Sequence, residues 1–338
     1  MHKISDIVGQ NDALKSLRGA ISSANTAHAY LFVGPHGVGK KTTAMAWARA
    51  LLCLNQGKGE TTDACGVCTT CQKINKNNYP DLHIVAPETG KNQTLKQIGV
   101  DTTRDLINKL SFKPYVSSRT VAIIKEAEKM TAGAANAFLK TLEEPPGDSV
   151  VMLVSENYNA LLPTIISRCQ TIRFRPAPYE TIVQYLTNNH GMEQKQARAR
   201  AAISRGSLGT AIRETGDELL GLRNQIISMI EKPDKLASIK IHTIAKAMDK
   251  SKDKTETDRF LSVFQELLRD LLIIKTTGMY DNLINMDITD QIGEIAERHS
   301  ERKLLNGFTL AGDLIETRRT WNINPLLVVS LLLQEFNV

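Results

Sequence analysis

Nine consecutive residues carry the clearest chemistry in the chain: Gly34-Pro35-His36-Gly37-Val38-Gly39-Lys40-Lys41-Thr42. Gly34, Gly37 and Gly39 let backbone N–H groups turn toward phosphate oxygens, and Lys40 can reach the outer phosphates. The pattern G-x-x-x-x-G-K-[ST] wants a hydroxyl directly after the lysine as a ligand for Mg²⁺. Here that residue is Lys41, a cation where a metal ligand belongs. Thr42 comes one residue late and points about 100° away around a helix. Such a loop can hold phosphate but is poorly built to hydrolyse it.

A working loop also needs an acid at the end of a neighbouring strand. The apolar run Val121-Ala122-Ile123-Ile124 is followed by Lys125-Glu126-Ala127-Glu128. Lys125 takes the place of the metal-side carboxylate. Glu126 stays open as a nucleotide-side group, whereas Glu128 reads as a carboxylate at a helix start, where the helix dipole favours it.

Four of the five cysteines fall within residues 53–71. Cys53, Cys65, Cys68 and Cys71 have the spacing C-x₁₁-C-x₂-C-x₂-C, and Cys-x₂-Cys turns bring thiolates onto one tetrahedral ion. Four sulfurs leave no open position, so the expected zinc is structural. Cys53 has a second reading as a buried helix thiol, and Cys65-Gly66-Val67-Cys68 a weaker one as a redox pair.

Two further sets are basic. Arg168, in Ser167-Arg168-Cys169, lies between a short helix and a strand, where a fixed guanidinium can reach a neighbour's nucleotide. Cys169 reads as a small core residue. Arg104, Lys109, Lys113 and Arg119, with Thr102 and Thr103 at a helix start, could meet phosphates; each taken singly suits a solvated face.

Stepping outward, Ala29–Val33 and a helix through Leu52 flank the glycine loop. Strands are expected at 81–85, 121–124, 150–154 and 171–174, and helices at 11–23, 100–109, 131–142 and 162–167, with a loop at 86–98. Near-continuous apolar strands alternating with helices give a parallel α/β sheet with helices on both faces. Arg175-Pro176-Ala177-Pro178 marks a linker. Beyond it the pattern is helical only: 179–189, 193–204 and 208–215, then 218–231, 236–249, 254–277, 288–321 with breaks, and 324–336.

The chain has 338 residues, 42% hydrophobic and 23% charged, enough for two or three folded domains. A net charge of +6 permits contact with nucleic acid without requiring it. The start lacks an apolar leader and no run approaches the roughly 20 residues of a membrane span, so no membrane partner and a cytoplasmic location are expected.

Five blocks in order resemble the clamp-loader branch of AAA+ proteins, which serves bacterial DNA polymerase III. They are Ile7-Val8-Gly9-Gln10; His28–Val33 running into Gly34–Lys40; the cysteine set; Asn136-Ala137-Phe138-Leu139-Lys140-Thr141-Leu142-Glu143-Glu144-Pro145-Pro146; and Ser167-Arg168-Cys169. The resemblance is strong over residues 1–175 and only architectural over the last third. It implies a P-loop-like AAA+ domain at 1–177 carrying a zinc module at 53–71, a small three-helix lid at 178–212, and an all-α collar at 213–338 for oligomerisation.

The motor subunits of that branch, gamma and tau, have a hydroxyl after the loop lysine, Asp-Glu after the strand, and Gly-Ser-Leu-Arg in the lid. This chain has Lys41, Lys125-Glu126 and Gly206-Ser207-Leu208-Gly209. The resemblance therefore implies a non-hydrolysing subunit in a ring with motor and delta subunits. That ring loads the sliding clamp onto primer-template DNA, with Arg104 a candidate DNA contact. Arg168 would act in trans as an arginine finger, and ATP or ADP binding at Gly34, Gly37, Gly39, Lys40, Thr42 and Glu126 would be weak or absent. A divergent ATP-hydrolysing motor, rescued by Thr42 or Glu126, is the alternative; a stand-alone nucleic-acid-binding module is a third.

Overall fold

The computed structural model describes residues 3–23, 25–55, 62–76, 79–89, 96–213, 215–231, 254–280 and 283–320, with 324, 327, 328 and 330–332. They form two compact units: 1–181 with 206–209, and 182–205 with 210 onward. The helix expected at 236–249 lies outside the described residues, as does most of the one at 324–336.

The first unit is built on a parallel five-stranded sheet. Its strands are β1 (Ala29–Val33), β2 (Leu82–Val85), β5 (Thr120–Lys125), β6 (Ser149–Ser155) and β7 (Gln170–Arg173), in the order β2-β5-β6-β1-β7. Between β2 and β5 a minimal antiparallel pair, β3 (Glu88–Thr89) with β4 (Lys96–Gln97), replaces part of the loop expected at 86–98.

Alternation along the central strands divides the core into two layers. Tyr30, Phe32, Val121, Ile123, Val150, Met152 and Val154 pack on α1 (Asn11–Ser22) and α2 (Lys40–Leu52). Trp47 of α2 is fully buried there; its indole N–H donates to Leu17 O at 3.1 Å, and its ring meets Tyr30 edge-on at 4.6 Å. On the other face Leu31, Ala122, Ile124, Val151 and Leu153 pack on α4 (Val100–Ser111), α5 (Ala132–Glu143) and α6 (Pro163–Ile166). A short helix between α2 and α4, α3 (Thr69–Asn75), carries no apolar periodicity long enough to be foreseen; it follows the cysteine turns and seats Ile74 in the first layer.

Among the described residues the second unit has helices and no strands. Its helices are α7 (Tyr179–His190, entering from the first unit), α8 (Gln194–Ile203), α9 (Leu208–Ile212, likewise entering), α10 (Thr215–Glu231), α11 (Lys254–Thr277), α12 (Thr289–Arg298) and α13 (Glu301–Thr320). Phe260, Phe264, Leu267, Leu268, Leu271, Ile292 and Leu304 centre its core. Buried charges are paired: Arg223 donates to both oxygens of Asp287 at 2.8 and 2.6 Å, and the Asp270 carboxylate accepts from the backbone of Ile284 and Asn285. No described helix is long and apolar enough to cross a membrane.

Candidate functional site

Parallel strands deliver all their C-terminal ends to one edge, which makes that edge the natural place for a site. With β1 between β6 and β7, and β5 beside β6, the segments after β1, β5 and β6 emerge together.

Gly34–Gly39 turns from β1 into α2. Gly39, the residue just before the helix, has φ +103°, a left-handed conformation that a side chain would strain. Lys40 opens the helix and is buried, with Nζ 2.6 Å from Gly34 O and 2.5 Å from Pro35 O. Its ammonium thus closes the loop on itself. Burial pulls its pKa down, opposed by the nearby carboxylates of Glu156 and Glu128. Thr42 is half-buried in the first turn of α2; the hydroxyl donating into that turn is Thr43, to Gly39 O at 2.9 Å.

Glu126 follows β5 and is itself left-handed, at φ +53°. Its two oxygens accept from two lysines: Lys41 at 3.1 Å and Lys129 at 2.7 Å. Lys129 first, then Lys41, hold its pKa below the ordinary carboxylate range against the effect of burial. A divalent ion at Glu126 would have to displace both ammonium groups. Lys125, on the same face of β5 as Val121 and Ile123, lines a cavity of about 370 Å³ with Ile74, Tyr79, Leu82 and Ile84.

Three contacts at this edge were not legible in the sequence. His36 Nδ1 lies 2.6 Å from Glu156 Oε1, joining the loop to the end of β6. Glu128 accepts from the Glu156 backbone N–H at 3.4 Å, so it ties the ends of β5 and β6 together as well as lying in a short helical turn. Buried Gln10 donates to Val38 O at 3.2 Å and Arg175 O at 2.7 Å, and accepts from Arg175 N at 3.1 Å. That gives the Ile7–Gln10 block a purpose: it fastens the loop to the chain after β7. Topology supplies the first two pairings, which no local spacing encodes.

Gly209 meets the loop directly. Its N–H donates to Gly37 O at 2.9 Å, and a Cβ there would lie 2.9 Å from that oxygen. The glycine in Gly206-Ser207-Leu208-Gly209 is therefore required by this packing, where an arginine could not be seated unchanged.

The four cysteines converge as their spacing expects. Their sulfurs lie within 4.8 Å of one another, with Cys53 and Cys68 at 4.0 Å. A tetrahedron with metal–sulfur bonds near 2.3 Å has edges of about 3.8 Å. The turns add backbone donors to sulfur: Cys65 N to Cys53, Cys68 N to Cys65 and Cys71 N to Cys68, at 3.4–3.5 Å. Cys53 sits just past the end of α2, facing the other three, so the set is a cluster able to hold a metal ion. Backbone N–H groups of Cys68 and Val67 bring the Cys65 thiol down to about 6, as suits a ligand that binds as thiolate. Cys169 stands apart, and burial pushes its thiol up to about 12.

Arg168 follows α6. Its Nη1 donates to Thr164 O at 2.9 Å and Ser167 Oγ at 3.3 Å, its Nη2 donates to Glu143, and the side chain is one-third exposed. Of the other basic residues, Lys113 lines a cavity that also includes Asp148. Thr103 is buried and donates to Gly99 O, Lys109 pairs with Asp105 at 2.7 Å, and Arg119 with Asp148 at 3.5 Å. Arg104 is exposed, but about 140° around α4 from Lys109.

A family profile described as DNA polymerase III, delta subunit, matches residues 9–178. The chain is 31% identical over 301 residues to DNA polymerase III subunit delta-prime of Bacillus subtilis, covering 88% of this chain and 87% of that one. It is 36% identical over 230 residues to the delta-prime subunit of Pseudomonas aeruginosa, covering 68% and 67%. It is also 29% identical over 322 residues to the tau subunit of Bacillus subtilis, covering 88% of this chain but 54% of that one.

Proposed function

The chain belongs to the DNA polymerase III delta-subunit family, as a delta-prime-like clamp-loader AAA+ protein, and from that premise we propose that it is a partner subunit which does not hydrolyse ATP itself. One observation carries this reading: the Lys41 ammonium, standing where a magnesium-binding hydroxyl belongs, lies 3.1 Å from Glu126 and satisfies that carboxylate. Hydrolysis needs a cation with open coordination positions to bridge and polarise the phosphates. An ammonium offers only three N–H donors, and it repels Mg²⁺.

The donating part is intact. Arg168 is partly exposed and braced, as a guanidinium supplied to another subunit's nucleotide should be. The chain then works within a hetero-oligomeric ring with gamma or tau motor subunits and a delta subunit, loading the sliding clamp onto primer-template DNA. The division into an AAA+ domain (1–177), a lid (178–212) and a collar (213–338) belongs to the same reading, as does Arg104 as a DNA contact. Zinc is the metal proposed for Cys53, Cys65, Cys68 and Cys71; it would staple the segment after α2 and take no part in chemistry.

The test is phosphate release by the purified chain alone with Mg·ATP, and again after mixing with motor and delta subunits. No turnover alone, with co-purification and higher turnover in the mixture, supports the reading. Turnover by the isolated chain that Lys40→Ala abolishes would make it a divergent motor.

A further inference from the structure

We propose that Glu143 is a positioning residue for Arg168, fixing the guanidinium in the orientation in which it meets a neighbouring subunit's nucleotide. The inference rests on the reading of Arg168 as a finger acting in trans.

Glu143 is the last residue of α5, inside the block Asn136–Pro146 that marks the family resemblance, and its side chain faces outward. Core packing therefore does not account for it. Its carboxylate takes Nη2 of Arg168, in a charge-assisted contact of the kind that fixes both partners in direction. The two backbones that hold the pair are anchored in the core. Leu142, just before Glu143, and Ile165, three residues before Arg168, are both buried in the same core layer with Phe138.

The remaining hydrogen bonds complete the brace. Thr164 O and Ser167 Oγ take Nη1, and Nε is buried without a protein partner among the described residues. A guanidinium has five N–H donors, two of them on each terminal nitrogen. With Nη1 engaged on the α6 side and one Nη2 proton given to Glu143, the second Nη2 proton remains for an incoming phosphate oxygen. Held at Nη1 by two acceptors and at Nη2 by one, the guanidinium is fixed from both ends. A flexible arginine would have to be ordered at each encounter, at the cost of freezing a long side chain.

The experiment uses the complete loader, reconstituted with this chain carrying Glu143→Ala, Glu143→Gln or Arg168→Ala, and reads steady-state ATP turnover after co-purification has verified assembly. With Glu143→Ala, turnover at the one site that Arg168 completes falls roughly tenfold, so total kcat drops toward that of Arg168→Ala and no further, while KM for ATP is unchanged, because a misplaced group costs rate rather than ground-state binding. Glu143→Gln, which still accepts from Nη2, keeps most of the wild-type rate. The double variant Glu143→Ala/Arg168→Ala is no slower than Arg168→Ala alone.

If Arg168→Ala slows turnover and Glu143→Ala does not, the positioning role is wrong and the finger stands. If Glu143→Ala raises turnover, the carboxylate masks the guanidinium, and the proposal is equally overturned. If Arg168→Ala itself changes nothing, the finger reading fails and takes this inference with it.

Discussion

Lys41 Nζ lies 3.1 Å from Glu126 Oε1, and Lys129 Nζ holds the other oxygen at 2.7 Å. The strand-end carboxylate that should face a metal is already neutralised by the chain's own cations. As a partly exposed pair, Lys41 and Glu126 add only about 0.2–1 kcal/mol to stability. Their significance is electrostatic: a divalent ion proposed at Glu126 would meet two ammonium groups already there.

Replacing Lys41 by threonine should therefore open the site in part. Lys41→Thr restores a hydroxyl after Lys40 and removes one cation from Glu126. The isolated chain should gain about tenfold in Mg·ATP affinity, which is ~1.4 kcal/mol. Hydrolysis should stay absent, since Lys125 and Gly209 are untouched. Titration with a fluorescent nucleotide, with and without EDTA, checks this; an unchanged affinity would place the block at Lys40 or Gly209 instead.

Asp81 sets a pH dependence whose sign is fixed. It is buried, which disfavours its charge, but the N–H groups of Ser117, Tyr115 and Val116 and the Ser117 hydroxyl outweigh that and hold its pKa below the ordinary range. A depressed folded-state pKa contributes stability that is present above the unfolded value, near 3.9, and is lost as pH falls through the folded one. Asp81→Asn should destabilise the chain by roughly 1–3 kcal/mol at pH 7. The gap from wild type in urea unfolding should narrow as pH drops below about 4.

The cysteine cluster makes a prediction that separates Cys53 from a plain core thiol. Metal analysis should find one zinc per chain. Cys53→Ser and Cys68→Ser should lose it alike, since both sulfurs belong to the same cluster. Chelation should open the half-buried Cys65 and Cys68 to alkylation, while Cys169, whose thiol burial pushes up to about 12, stays inert in the folded chain. Retention of zinc by Cys53→Ser would leave Cys53 as packing only.

How much of the fold is legible in the sequence follows from how local each signal is. The glycine loop, the buried strands and the cysteine spacing are encoded within a few residues, and the structure places them where those residues direct. Helix α3 and the β3–β4 pair are too short to show a period. His36 with Glu156 depends on β6 lying beside β1, 120 residues apart in the chain. Gly209 could be seen as a missing arginine, but not as a backbone donor to Gly37. Charge alone does not tell which of the basic residues are engaged: Lys109 and Arg119 stand in ion pairs and Thr103 is buried, while Arg104 is exposed.

The most direct test of the central claim is ATP turnover by the reconstituted loader with Arg168→Ala in this chain only. Fingers of this kind contribute about 10³–10⁵ in rate at the site they serve. A finger at Arg168 predicts intact assembly and loss of turnover at the one neighbouring site that it completes. Turnover equal to wild type at every site would contradict it.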